Sequence, residues 1–434
     1  MISSIPSRRC IRCRRSDVED QRQTGPIWLA AAGVRAQISA NTAIVDQWAM
    51  RQPLPGVSPL PNARVSGYRD SFTVEVSVRQ AVYDWEAVMR MLGLILGVMT
   101  TISLTSLAAA QAKIDILDLK AMPLTDTAAL KAYQDGFLVF PTNRAFAISS
   151  NGKFGIIGNA NTIEAAREAA VKSCVSKGGE ACAIYAENLD VVWPGRKPTA
   201  RAATPDRLIT IEHSDLAPDQ RFLWYGPKQA RGILVFGHGY GGAAQDARMT
   251  QPPAWTRVFN NNGYDVVRFA RDPAWDGQRD LVAQWLRTGL AELRKAGWKH
   301  IVVAGQSRGS YNALQVLDTP GLADVVISGA AAAYGQGPGN NRTLADLWTM
   351  FGAAASPLTR VAFIQFDGDD FNPDPAARTV LINDRLKPRV GPILMIDRPK
   401  GFTGHGAQTN RAFVDHFGGC LWRFATDPSP PSAC

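Results

Sequence analysis

The chain has 434 residues, 46% of them hydrophobic and 20% charged, with a formal net charge of +9. That length accommodates one large domain with a smaller one beside it, in an ordinary globular composition free of low-complexity tracts. The 47 Lys and Arg residues form no block of five or more, so the charge reads as solubility and weak surface steering, and nucleic acid is not expected as a partner.

Residues 1–88 show little amphipathic period and no linked run of strands or helices. Cys10 and Cys13 lack a second Cys/His pair at zinc-site spacing, so no metal site is expected there. An uncharged run from Met91 to Ala112 follows Arg90 and ends in Ala108-Ala109-Ala110 or Ala110-Gln111-Ala112. A basic start, apolar middle and Ala-Xaa-Ala end predict a secretory signal peptide over 89–112. An uncleaved transmembrane anchor competes with it; the Thr/Ser content and Ala-rich end favour cleavage, leaving no stable membrane span. A signal at this depth places the biological start at Met89 or Met91 and makes 1–88 a non-native or disordered extension. The four cysteines beyond residue 113 form two local pairs, Cys174/Cys182 and Cys420/Cys434. With export to the periplasm or medium, they fit two disulfides in an oxidising compartment.

Residues 113–200 read as a small α/β module. "AFAISSNGKFGIIG" has two apolar runs around Asn151-Gly152, a two-residue hairpin signal. Thr162 is placed to cap the helix "IEAAREAAVKSC", whose positions 163, 166, 170 and 174 share one face. "CAIYAENLDVVW" returns as a strand. The module contains no histidine and no convergent acids, so structural support or interaction is its expected role. A linker, "WPGRKPTARAATPD", with three prolines and several basic residues, follows. From 201 to 434 two strand-like runs, "RLITIEH" and "RFLWYGP", precede alternating strands and helices. The apolar runs in "GILVFGHG", "YDVVRFAR", "HIVVAGQS", "DVVISGAAA", "RVAFIQFDG" and "PILMIDRP" predict a mainly parallel sheet covered on both faces.

Within "HIVVAGQSRGSYNAL", Gly305 and Gly309 flank Ser307 between a strand and the helix that starts directly after it. So tight a turn brings backbones close enough to require glycine two residues to either side, and it lifts the serine hydroxyl to a helix N-terminus. With this context, residues 205–425 resemble the α/β-hydrolase superfamily, nearer its esterase, dienelactone-hydrolase-like and peptidase-like branches. The resemblance implies an α/β-hydrolase fold, a mainly parallel sheet flanked by helices, preceded here by the small module. It also implies a Ser-acid-His order, with Ser307 as nucleophile. In Gly237-His238-Gly239-Tyr240-Gly241-Gly242, family position makes Tyr240 an oxyanion-hole amide and His238 a loop-shaping residue; the amide of Arg308 would be the second donor. Asp370 matches the spacing of the family acid, with Asp369 the alternative. His405, between Gly404 and Gly406, matches the base. Of the other four histidines, His213 and His300 lie before or at strand starts, expected at the opposite end of the sheet, and His416 sits inside the last helix.

The resemblance therefore implies an exported serine hydrolase cleaving carboxylic esters through an acyl-enzyme, with neither cofactor nor metal, acting on a small-molecule ester or amide. The alternatives are a secreted serine peptidase or amidase of the same fold and a non-catalytic, envelope-associated binding protein. The stretch 334–360 reads equally as a lid helix or an ordinary crossover helix, and Trp255 and Trp275 are candidate cleft residues. Asn341-Arg342-Thr343 is a glycosylation acceptor pattern. N-terminal sequencing of the exported protein is expected to find a chain beginning near residue 113; a mature chain retaining Cys10 and Cys13 overturns the reading of 1–112.

Overall fold

The computed structural model describes residues 115–434 except 125, 197–199, 242–244 and 337–338. The expected extension and signal segment, with Cys10 and Cys13, lie outside the described residues. Among the described residues no helix is long and apolar enough to cross a membrane.

The first sheet has four antiparallel strands in the order β2-β1-β3-β4: β1 Ala145–Ile148, β2 Phe154–Ile157, β3 Ala183–Glu187 and β4 Asp190–Val191. Helix α1, Ile163–Ser176, buries Ala166, Ala170 and Cys174 against it, with the Thr162 hydroxyl accepting from the Ala165 amide as N-cap. Two details differ from the sequence expectation. Ser149 and Lys153 close the β1–β2 turn with an N–H to carbonyl bond of 3.0 Å, so Asn151-Gly152 belongs to a three-residue rather than a two-residue loop. The single strand expected over "CAIYAENLDVVW" breaks at Asn188, whose φ is 43°, and folds back as the β3–β4 hairpin. Disulfides join Cys174 to Cys182 and Cys420 to Cys434.

This module shares its core with the rest of the compact unit. Val139 packs into the same buried cluster as Trp255 and Phe259, and Leu223 enters the module's cluster. Arg257, 1% exposed, donates to the Thr142 hydroxyl, and the Asn261 amide donates to the Leu138 carbonyl.

The second sheet has eight strands in the order β12-β11-β10-β9-β7-β8-β6-β5. They are β5 Ile209–Ile211, β6 Ser214–Pro218, β7 Gly232–Gly237, β8 Tyr264–Arg271, β9 Ile301–Gln306, β10 Val325–Gly329, β11 Arg360–Gln365 and β12 Ile393–Asp397. Strands β7 to β12 pair in parallel, while β5 and β6 are antiparallel. Every residue of β7, β8 and β10 is buried, as expected for strands covered on both faces. The intervening helices are α2 Thr256–Asn261, α3 Arg279–Lys295, α4 Arg308–Gln315, α5 Gly339–Ala353 and α6 Pro375–Leu381, and a helical stretch over 411–426 ends the domain.

"RFLWYGP" is not a strand. Side chains from α2 and β8 take its amides instead: Asn260 accepts from Leu223, and the Asp265 carboxylate accepts from Tyr225 at 2.7 Å and Gly226 at 3.0 Å. The strand between β5 and β8 is instead "SDLAP", β6, which lacks a continuous apolar run although four of its five residues are buried. Of the two readings of 334–360, the ordinary one holds for α5: Leu347 and Phe351 are fully buried in the main core, and Trp348 is exposed. Trp255 is also fully buried, packed on Phe259, so it lines no cleft.

Helix α4 starts directly against the end of β7. A Cβ on Gly309 would fall inside the contact shell of the Gly237 carbonyl, and one on Gly305 would strike the Gly309 backbone. Gly309→Ala is expected to lower the unfolding midpoint by roughly 10 °C or to abolish folding, since backbone must move to relieve the overlap. Gly335→Ala, where a Cβ meets nothing within 4 Å, is the control and should change it by under about 2 °C; thermal melts of both variants measure the difference.

Candidate active site

Ser307 links β9 to α4 with φ 56° and ψ −119°, a region an L-residue rarely occupies and which costs on the order of 1–3 kcal/mol. Three backbone bonds hold it there. Its amide donates to the Gly329 carbonyl at 3.0 Å, and its own carbonyl accepts from Tyr311 at 3.0 Å and Ala332 at 3.3 Å. Arg308 begins the helix, so its amide is among those a helix leaves without an intrahelical acceptor. The Ser307 side chain is half-buried.

The loops after β11 and β12 are joined by backbone. Asp367 and Thr403 form an isolated parallel bridge, and the Gly404 amide donates to the Asp367 carbonyl at 2.8 Å. Gly368 turns the chain with φ 64°. The next residue, Asp369, therefore points inward: His405 Nδ1 lies 2.9 Å from its Oδ1 and 3.0 Å from its Oδ2. Asp370, the favoured acid of the sequence reading, does not reach the imidazole. It is exposed and accepts from the Gln336 amide at 3.5 Å. The runner-up, Asp369, occupies the position facing His405.

Asp369 is 3% exposed. Burial pushes its pKa up, but hydrogen bonds from His405 and Asn372 outweigh this and hold the carboxyl below its ordinary value. Asn372, itself buried, donates to Asp369 Oδ2 at 2.9 Å and to the Ala330 carbonyl at 3.3 Å, and the Phe371 amide donates to Oδ1. The Phe371 ring packs on His405 with centroids 4.4 Å apart. Neither residue was legible as part of the site; an Asn three positions after an Asp is the only trace that sequence carries.

The loop after β7 closes over the serine turn. A Cβ on Gly239 would sit 3.5 Å from Ser307 Cβ and 2.8 Å from Gln306 Oε1. Gln306 in turn donates to the His405 carbonyl at 3.5 Å, so the three loops meet around one turn. Tyr240 is 47% exposed, and the Arg308 guanidinium lies 5.1 Å from its ring centroid. That guanidinium is buried and donates to the carbonyls of Asp276 and Ala333. His238 is 4% exposed; burial and then the neighbouring Arg271 push its pKa down to about 3.

His213 corrects a sequence expectation. Because β6 runs antiparallel to β8, pairing Ser214 with Arg271, His213 lies at the carboxyl end of the parallel strands. It stacks on Trp275 at 4.3 Å and 14°, and Trp275 is 37% exposed. His300 stays at the opposite end, bonded to the Tyr264 hydroxyl. His416 is exposed, its Nδ1 2.8 Å from the Ala412 carbonyl.

The strand order and the strand–Ser307–helix turn give residues 209–426 the topology of an α/β-hydrolase fold. No protein-family model matches the chain, and no curated protein matches it. Solved structures similar to part of it include an esterase of Pyrococcus furiosus, 16% identical over 50% of this chain and 89% of that one, with a TM-score of 0.36. An acylaminoacyl peptidase of Pyrococcus horikoshii is 14% identical over 50% of this chain and 40% of that one, with a TM-score of 0.34. Est1E from Butyrivibrio proteoclasticus is 14% identical over 47% of this chain and 92% of that one, with a TM-score of 0.32.

A pH prediction follows from His238. Its folded pKa lies below the 6.5 of an ordinary histidine, so between these values the unfolded chain binds the proton and the folded chain does not. Stability is therefore expected to fall as pH drops below about 6.5, by up to about 3 kcal/mol near pH 4 from this group. His238→Asn keeps an N–H donor without titrating, and its denaturant midpoints should depend less on pH over that range than those of the unaltered chain.

Proposed function

We propose that this chain is an exported serine hydrolase that cleaves carboxylic esters through Ser307, His405 and Asp369. The observation that carries the reading is a serine held at positive φ on a strand–helix turn, with a carboxylate-paired histidine on an adjoining loop. In this mechanism the Ser307 hydroxyl attacks the acyl carbonyl as His405 takes its proton through Nε2. Asp369 holds Nδ1–H and stabilises the imidazolium. The amides of Tyr240 and Arg308 donate to the oxyanion, His405 returns the proton to the departing alcohol, and water repeats the sequence to release the acid. The two disulfides fit an oxidising compartment, and the small module, whose core is continuous with the hydrolase half, serves as structural support.

Labelling with a serine-directed fluorophosphonate, followed by peptide mapping, is expected to place one adduct on Ser307 and none in Ser307→Ala. Ser307→Ala and His405→Ala should each lower ester turnover on the order of 10⁶-fold. Asp369→Asn should lower it roughly 10⁴-fold, whereas Asp370→Asn should stay within about threefold of the unaltered chain. Folded protein that takes no adduct, or that loses turnover through Asp370 rather than Asp369, defeats this assignment.

A further inference from the structure

Beneath the loop that carries Tyr240 lies a charged group that the proposed reaction does not touch. Arg271, the last residue of β8, is fully buried. Its Nε donates to Asp276 Oδ1 at 2.7 Å, and Nη2 lies 3.3 Å from Oδ2. Asp276 is 3% exposed, and its own carbonyl accepts from Arg308. On the other side, Arg271 Nη2 donates to the His238 carbonyl at 2.6 Å and approaches the Gly239 carbonyl at 3.3 Å. The Gly239 carbonyl is also 2.6 Å from His238 Nδ1. Arg271 Nη2 also lies 3.1 Å from that Nδ1; the shorter contact to the carbonyl favours the proton on Nδ1, so that His238 donates to Gly239 and the guanidinium reaches the same carbonyl from below.

The Gly239 carbonyl and the Tyr240 N–H belong to one peptide plane and, in a trans peptide, point in opposite directions. Fixing the carbonyl toward the buried guanidinium therefore fixes the N–H away from it. Gly239 faces Ser307 across this loop, as its close approach to Ser307 Cβ shows. We infer that Arg271, anchored by Asp276, is a positioning residue that aims the Tyr240 amide at the oxyanion formed on Ser307. The glycine on the N-terminal side of this peptide makes the restraint necessary. Gly239 has no side chain to bias this peptide, so without a partner for its carbonyl the peptide turns more easily than one between two larger residues. A guanidinium suits the task because its planar fork binds a carboxylate edge-on while presenting further N–H groups to carbonyls. A lysine at the same place reaches one partner or the other.

This inference rests on the serine-hydrolase reading, and the experiment separates the two. Steady-state kinetics on an activated ester, normalised to active sites titrated with fluorophosphonate, are measured for the unaltered chain, Arg271→Met, Arg271→Lys and Asp276→Asn, and for Ser307→Ala, which takes no label, normalised to protein concentration. Loss of an oxyanion donor costs on the order of 10²–10³ in kcat. Arg271→Met is therefore expected to lower kcat per active site about 100-fold with KM within about threefold. Arg271→Lys and Asp276→Asn should fall between it and the unaltered chain. Inhibition by a trifluoromethyl ketone, whose adduct carries the oxyanion, should weaken in proportion to kcat/KM. A purely structural role changes the titrated fraction and the melting temperature but not turnover per titrated site. If Arg271→Met does not fold, the two milder variants decide. The inference is overturned if kcat per site in both is within twofold of the unaltered chain, or if the whole loss appears in KM. Turnover that survives Ser307→Ala overturns the underlying reading and this inference together.

Discussion

The site depends on a backbone crossing that no side chain can enter. Helix α4 begins against the end of β7, with Gly309 on the Gly237 carbonyl and Gly305 on Gly309. That proximity lets one residue carry the chain from strand to helix, and it forces Ser307 into its strained conformation. The local cost, on the order of 1–3 kcal/mol, is offset because both elements are otherwise buried: β9 in the sheet centre and α4 along its whole length. A strained serine is thus a consequence of packing rather than of its own preferences. The same packing leaves a helix N-terminus, with its free amides and favourable dipole, immediately beyond it.

The buried charges around this turn are each held by a partner. Asp369 faces His405 Nδ1 and is held by Asn372 and the Phe371 amide. Arg271 and Arg308 lie beneath the loop after β7, with Asp276 between them. Two guanidiniums to one carboxylate leave a positive balance beneath the loop after β7, while burial and then Arg271 push the His238 pKa down. Charges arranged before reaction need not reorganise during it, which is the physical basis of electrostatic stabilisation in a closed site.

The small sheet module is not a tethered appendage. Its Val139 completes the cluster around Trp255 and Phe259, and Arg257, buried near the junction, reaches Thr142. Removing the module would uncover that aromatic face and leave a buried guanidinium without one of its acceptors, so a truncated chain would report on folding as well as on function.

Sequence alone determined what depends on local pattern. Continuous apolar runs located β7 to β12, the spacing of glycines around Ser307 located the turn, and four cysteines in two local pairs located both disulfides. It failed where the deciding partner is distant in the chain. "RFLWYGP" has the composition of a strand, yet Asn260 and Asp265 take its amides; "SDLAP" lacks that composition, yet pairs with β8. The end of the sheet on which His213 lies turns on an antiparallel edge that spacing cannot show. Asp369 and Asp370 are chemically identical neighbours, and only the Asp367–Thr403 bridge and the turn at Gly368 decide which carboxylate faces His405. Arg271 is 36 residues from Ser307 in sequence, and nothing in its surroundings marks it. Periodicity and glycine spacing record constraints between neighbours along the chain; side-chain direction on a loop and the partners of a buried charge are settled by contacts that exist only once the sheet has formed.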